Sequence, residues 1–208
     1  MITLYSFPKT RGRRVTWMME ELGENYEFKL IPRGENGFKS DVFLKINPAG
    51  KVPAIQDGEL VLTESAAIVT YLGDKFPNKG LVPAAGTTER GKYNQWSYFA
   101  LTELEQPLWT IGKHKFALPE DKRIPAIFDT AAWEFQQALK ILDKGLDGNN
   151  YILGDSFSAA DILICHTLNW GTNFGQPIEQ VKLKAYQERV SSRDALQRAI
   201  FREETVQK

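Results

Sequence analysis

The chain has 208 residues, 42% of them hydrophobic, which suits a folded protein with enough length for two modest domains or one large one. Its 26 basic residues balance 26 acidic ones, so the charge gives no pointer to nucleic acid or to a membrane surface. No apolar run approaches the roughly 18 residues of a bilayer span, and the N-terminus enters a strand pattern without the layout of a secretory leader. A single cysteine, Cys165, has no internal disulfide partner, which fits a reducing, cytoplasmic setting.

Along the chain, Ile2 to Tyr5 reads as a strand. A helix follows from Gly12 to Leu22, with Val15, Met18, Met19 and Leu22 on one face and Gly23 as its stop signal. Tyr26 to Ile31 is the next strand, and β-α-β order implies a parallel pair. A polar stretch, residues 32–39, leads to a short helical piece near Val42 to Lys45. Two short strands around Gly58 and a helix opening at Glu64-Ser65 complete an α/β domain over residues 1–77.

Pro77, Asn78, Gly80, Pro83 and Gly86 break regular structure, so residues 78–86 read as a linker. Residues 87–208 are then wholly helical in pattern. Thr87 to Trp109 reads as one long helix bent at Pro107, and Ile127, Ala131, Phe135, Leu139 and Leu142 mark the core face of a second. Three more helices are expected over 158–170, 178–191 and 194–204. In GDSFSAADIL, Ser158 stands as N-cap with Asp161 three residues on, the spacing of a capping box.

The most informative segment is NPAGKVPAIQDGELVLTESAAIVTYL, residues 47–72. Pro53 inside a strand forfeits a ladder hydrogen bond, so it marks an edge or a cis peptide. An open strand edge beside a helix N-terminus is a receptor for a small extended peptide that carries a carboxylate. Each piece taken alone is also compatible with an ordinary hairpin and helix.

Together these residues resemble the cytosolic glutathione S-transferase family, through NPAGKVP, the TES helix start, the Ser158 cap and the domain order. The resemblance implies a thioredoxin-like N-terminal domain with a mixed four-stranded sheet, an all-helical C-terminal domain, a cis Val52-Pro53 peptide and a homodimer. It implies glutathione as co-substrate, with no metal. Val52 would pair its backbone with the cysteinyl part of the ligand, and Pro53 would hold the edge open. Glu64 and Ser65 would take the γ-glutamyl end. Lys39 and Lys51 would meet the glycyl carboxylate, although each is also readable as a solvated surface charge.

Conjugation needs the thiolate, so a group that favours the anion raises the reactive fraction. Thr10 matches the serine or cysteine of many subgroups and is the expected sulfur contact, with a helix N-cap as its structural alternative. Arg11, Arg13 and Arg14 crowd the front of the first helix against its dipole, a cost to be offset by acidic neighbours or a bound anion. Arg14 reads as structural, whereas Arg11 is placed to lower the thiol pKa or to meet the second substrate. Phe7, Arg11 and Trp109 are the named contacts for an apolar electrophile in a pocket expected between the domains. His114 and His166 are too scattered for a metal site, and Cys165 reads as a buried small hydrophobe.

The expected activity is conjugation of glutathione to small apolar electrophiles, a detoxification chemistry. Two alternatives stand beside it: a glutathione-dependent disulfide reductase or peroxidase using the same cleft, and a non-catalytic module that keeps the fold for binding or assembly.

Overall fold

The alternating apolar residues at the N-terminus form strand β1, Ile2–Ser6, at the centre of the first unit. In the computed structural model, which describes residues 1–206, it is followed by α1 (Gly12–Leu22), β2 (Tyr26–Leu30), α2 (Asp41–Ile46), β3 (Ala54–Asp57), β4 (Leu60–Thr63) and α3 (Ser65–Lys75). The sheet runs β2-β1-β3-β4, with β1 parallel to β2 and β3 antiparallel to both β1 and β4. This is the expected mixed four-stranded thioredoxin-like domain.

Val15, Met18, Met19 and Leu22 of α1 are all fully buried, and each such side chain contributes roughly 1.5–3 kcal/mol relative to exposure. Gly23 stops the helix at φ +69°, where its N–H reaches Met19 O at 3.0 Å.

The chain divides into two compact units, Met1–Val82 with the segment from Ser192 onward, and Pro83–Ser191. Two expected boundaries shift accordingly. Leu81 and Val82, read as linker, are buried, and Val82 fills the space over Gly73, where an added Cβ would lie 2.2 Å from its Cγ2. The last helix, α9 below, belongs to the first unit rather than to an 87–208 domain, and positions 207–208 of that range lie outside the described residues.

The second unit contains α4 (Thr88–Phe99), α5 (Glu105–Gly112), α6 (Ile127–Leu146), α7 (Ala159–Asn173) and α8 (Val181–Ser191). The helix expected to run from Thr87 to Trp109 is α4 and α5 joined by a widened π-turn over Ala100–Leu104. Pro107 in the first turn of α5 explains it: the ring crowds the carbonyl four residues back, at Glu103, and the π-turn opens the helix there.

Asp161 at the start of α7 accepts from Ser158 N–H at 2.8 Å, Ser158 Oγ at 3.0 Å, Ile152 N–H at 2.8 Å and Tyr186 Oη at 2.8 Å. The capping box read from the sequence is therefore the hub of a buried network joining α7, α8 and the preceding turn.

Helix α9, Asp194–Thr205, returns to α1 and β2 within the first unit. Arg193 makes a bidentate pair with Glu21, Nε to Oε1 at 2.6 Å and Nη2 to Oε2 at 2.7 Å. Arg198 donates to Glu20 O at 2.8 Å, and Arg202 donates to Tyr26 O at 3.1 Å. A helical period shows that this segment has an apolar face; it does not say which unit the face covers.

Asp161→Ala leaves two backbone N–H groups and the Tyr186 hydroxyl buried without acceptors, so it should cost about 3–5 kcal/mol by denaturant unfolding. A loss below about 1 kcal/mol would show that water replaces the carboxylate without penalty.

Candidate functional site

The register of the sheet brings three segments to one corner. Tyr5 pairs with Ala54, and Ala54 pairs with Thr63. Carried two positions further, the same register sets Phe7 to one side of Val52 and Ser65 to the other. Pro53 stands between, buried, in a cis peptide with Val52 and without an N–H to extend either ladder. Among the described residues, Val52 makes no main-chain hydrogen bond. The edge expected to receive an extended ligand is therefore not taken up by the chain itself.

The start of α3 adjoins it. Glu64 is exposed and takes φ +65° and ψ +112°, a conformation costly for any residue but glycine, and its side chain does not cap the helix. Ser65 Oγ accepts from Arg14 Nη1 at 3.1 Å, with both residues buried. A guanidinium beneath this helix start adds positive charge to the end that already carries the positive pole of the dipole. Arg14 was legible only as a structural arginine; its partner lies 51 positions away, and no local pattern announces the pairing.

Lys39 lies over Gly50, the residue before Lys51. At φ +59° the Gly50 backbone lies so close to Lys39 that an added Cβ would stand 3.0 Å from Nζ, and 2.7 Å from Phe38 O. Lys39 therefore packs beside the residue that precedes Lys51, and both lysines are exposed. Asn47 fixes this turn, accepting from Ala49 N–H at 3.1 Å and donating Nδ2 to Lys51 O at 2.6 Å. Phe7 packs edge-on to Phe38, 6.0 Å between centroids, with the Arg33 guanidinium 5.2 Å from its ring.

Thr10 has partners within its own loop. Its hydroxyl donates to Phe7 O at 2.6 Å and accepts from Gly12 N–H at 3.1 Å. This is close to the capping alternative, with Arg11 rather than Thr10 at the N-cap position. Two other hydroxyls lie on the same strand, β1. Tyr5 Oη donates to Gln56 Oε1 at 3.0 Å, and Ser6 is fully buried against Gly12.

Arg11 is half-buried directly before the first turn of α1, a turn with no acidic residue. The acidic neighbour expected for this cluster is Glu203, which receives Arg13 Nη2 at 2.7 Å. Trp109, named for the electrophile, is half-buried on α5 of the second unit, whereas Phe7 and Arg11 belong to the first. Cys165 is fully buried and its thiol is pushed up to about 12 by burial, so it is no nucleophile at neutral pH. Among the described residues, no group of three or more His, Cys, Asp or Glu is placed to hold a metal ion.

A strand edge left open beside the N-terminus of α3, on a thioredoxin-like unit followed by helices, is the architecture of the glutathione transferase class. Family models agree: residues 1–74 match the glutathione S-transferase N-terminal domain, and residues 113–194 match the C-terminal domain. The chain is 31% identical to the disulfide-bond oxidoreductase YfcG of Escherichia coli, over 97% of this chain and 95% of that protein. It is similar to a crystal structure of a glutathione transferase from Methylococcus capsulatus, with 29% identity, TM-score 0.86, and 99% and 100% of the two chains covered. A ternary complex of BphK, a bacterial glutathione transferase, matches at 29% identity and TM-score 0.87, covering 97% and 99%. The chain belongs to the glutathione S-transferase family, and its class of activity is glutathione transfer.

Because Glu64 is held at a positive φ, Glu64→Gly should raise stability by about 1 kcal/mol in denaturant unfolding while weakening retention on immobilised glutathione. Equal retention of the variant would remove Glu64 from the ligand's contacts.

Proposed function

We propose that the chain conjugates the glutathione thiolate to small apolar electrophiles, with the tripeptide laid along Val52. The observation that carries this reading is the unpaired main chain of Val52 between Phe7 and the start of α3. The cysteinyl part pairs with Val52, and Pro53 keeps the strand from closing on itself. The γ-glutamyl carboxylate sits at the N-terminus of α3 with Ser65, where the dipole and Arg14 favour an anion, and Glu64 takes the ammonium. Lys39 and Lys51 meet the glycyl carboxylate from either side of Gly50.

The sulfur lies at the loop carrying Thr10 and Arg11. With the Thr10 proton given to Phe7 O, the Arg11 guanidinium and the positive end of α1 become the groups that favour the thiolate. Thr10 then braces the loop, and the apolar ring of Phe7, with Arg11, borders the electrophile. By family likeness the protein is a cytoplasmic homodimer serving detoxification.

A second reading, a glutathione-dependent disulfide reductase or peroxidase, is favoured by the likeness to a protein named a disulfide-bond oxidoreductase over nearly the whole chain. Turnover of a dinitrohalobenzene faster than of a mixed disulfide or organic peroxide supports conjugation; the reverse order supports reduction. No retention on immobilised glutathione would overturn both.

Arg11→Ala should raise the thiol pKa of bound glutathione by about one unit, read from thiolate absorbance, and lower kcat roughly tenfold. An unchanged thiol pKa would take Arg11 out of the sulfur's surroundings.

A further inference from the structure

We propose that Glu203, on the last helix, is a positioning residue for the loop that meets the sulfur; the proposal rests on the reading of that loop given above. Glu203 is fully buried, and α9 lies in the same unit as β1 and α1. Its Oε2 accepts from Arg13 Nη2 at 2.7 Å, Arg13 Nε at 3.1 Å and Lys9 N–H at 3.4 Å. One carboxylate oxygen thus holds both ends of the segment Lys9-Thr10-Arg11-Gly12-Arg13.

The loop needs such a hold. Lys9 takes φ +59°, a conformation that a lysine adopts only when its surroundings enforce it. Thr10 supplies an internal brace, tying Phe7 O to Gly12 N–H. Gly12 cannot relax toward β1, since even a methyl there would stand 1.9 Å from Ser6 Oγ. Glu203 adds a brace from outside the loop, and Arg11 is carried between its two points of attachment.

The arrangement costs stability. Burial of the Glu203 carboxyl pushes its titration up, against the opposing effect of the Arg13 guanidinium and of hydrogen bonds from Arg13, Lys9 N–H and Thr16. An apolar side chain would pack the same space without that loss, so the carboxylate is explained by what it orients. None of its contacts touches Lys39, Lys51, Val52 or Ser65, so the grip on the tripeptide and the setting of the sulfur loop are separable.

The test is Glu203→Gln in the full-length protein, with glutathione binding followed by calorimetry, the bound thiol titrated by thiolate absorbance, and turnover measured with a dinitrohalobenzene. The expected result is a raised thiol pKa and a kcat lower by roughly tenfold to a hundredfold, with KM for glutathione within about twofold. A role confined to folding would reduce the number of binding sites but leave the thiol pKa of those that remain, and that result overturns the proposal. Should Glu203→Gln fail to fold, Arg13→Gln carries the test, because its side chain is 22% exposed and its loss removes the same ion pair. A raised thiol pKa is again expected, and an unchanged one overturns the proposal. Wild-type protein that binds no glutathione sinks the reading of the site itself, a result distinct from a variant that binds and titrates like wild type.

Discussion

Everything in the first unit is arranged around a ladder that stops. Strand β3 is bonded on both sides from Ala54 to Gln56 and then, at Pro53, loses the donor that would carry either ladder further. An exposed run of unpaired main chain is ordinarily a liability, open to any passing strand. Here the run is one residue long, and the register sets Phe7 to one side of it and the start of α3 to the other. In the proposed function, recognition rests on main-chain groups and helix ends more than on any catalytic side chain.

Much of this was legible in the sequence because it is local. The α1 period, the Gly23 stop and the Ser158 cap each depend on residues within about a turn of one another, and each formed as expected. What was not legible is long-range. Arg14 reaches Ser65, Arg13 reaches Glu203 and Arg193 reaches Glu21 across 51, 190 and 172 positions. Spacing alone cannot announce such pairs. The same limit misplaced α9 in the helical domain and left Leu81 and Val82 as linker, since an apolar face does not name the surface it covers.

Thr10 teaches a narrower point. The residue type and position match the expected sulfur contact by resemblance, and its one proton goes to Phe7 O in this structure. The arginines around it then change meaning. Three cations at the front of α1 looked like an uncompensated cost against the dipole. Arg13 is held by a buried carboxylate and Arg14 donates to Ser65, while Arg11 lies on the braced loop itself. Charge that opposes a dipole is tolerated where an anion is expected to arrive.

Amide hydrogen exchange at Val52, with and without glutathione, tests the central claim most directly. The account predicts that saturating glutathione slows exchange of the Val52 amide by at least about tenfold, because the ligand supplies the missing acceptor. Glutathione bound at saturation with the Val52 amide exchanging as fast as before would contradict it.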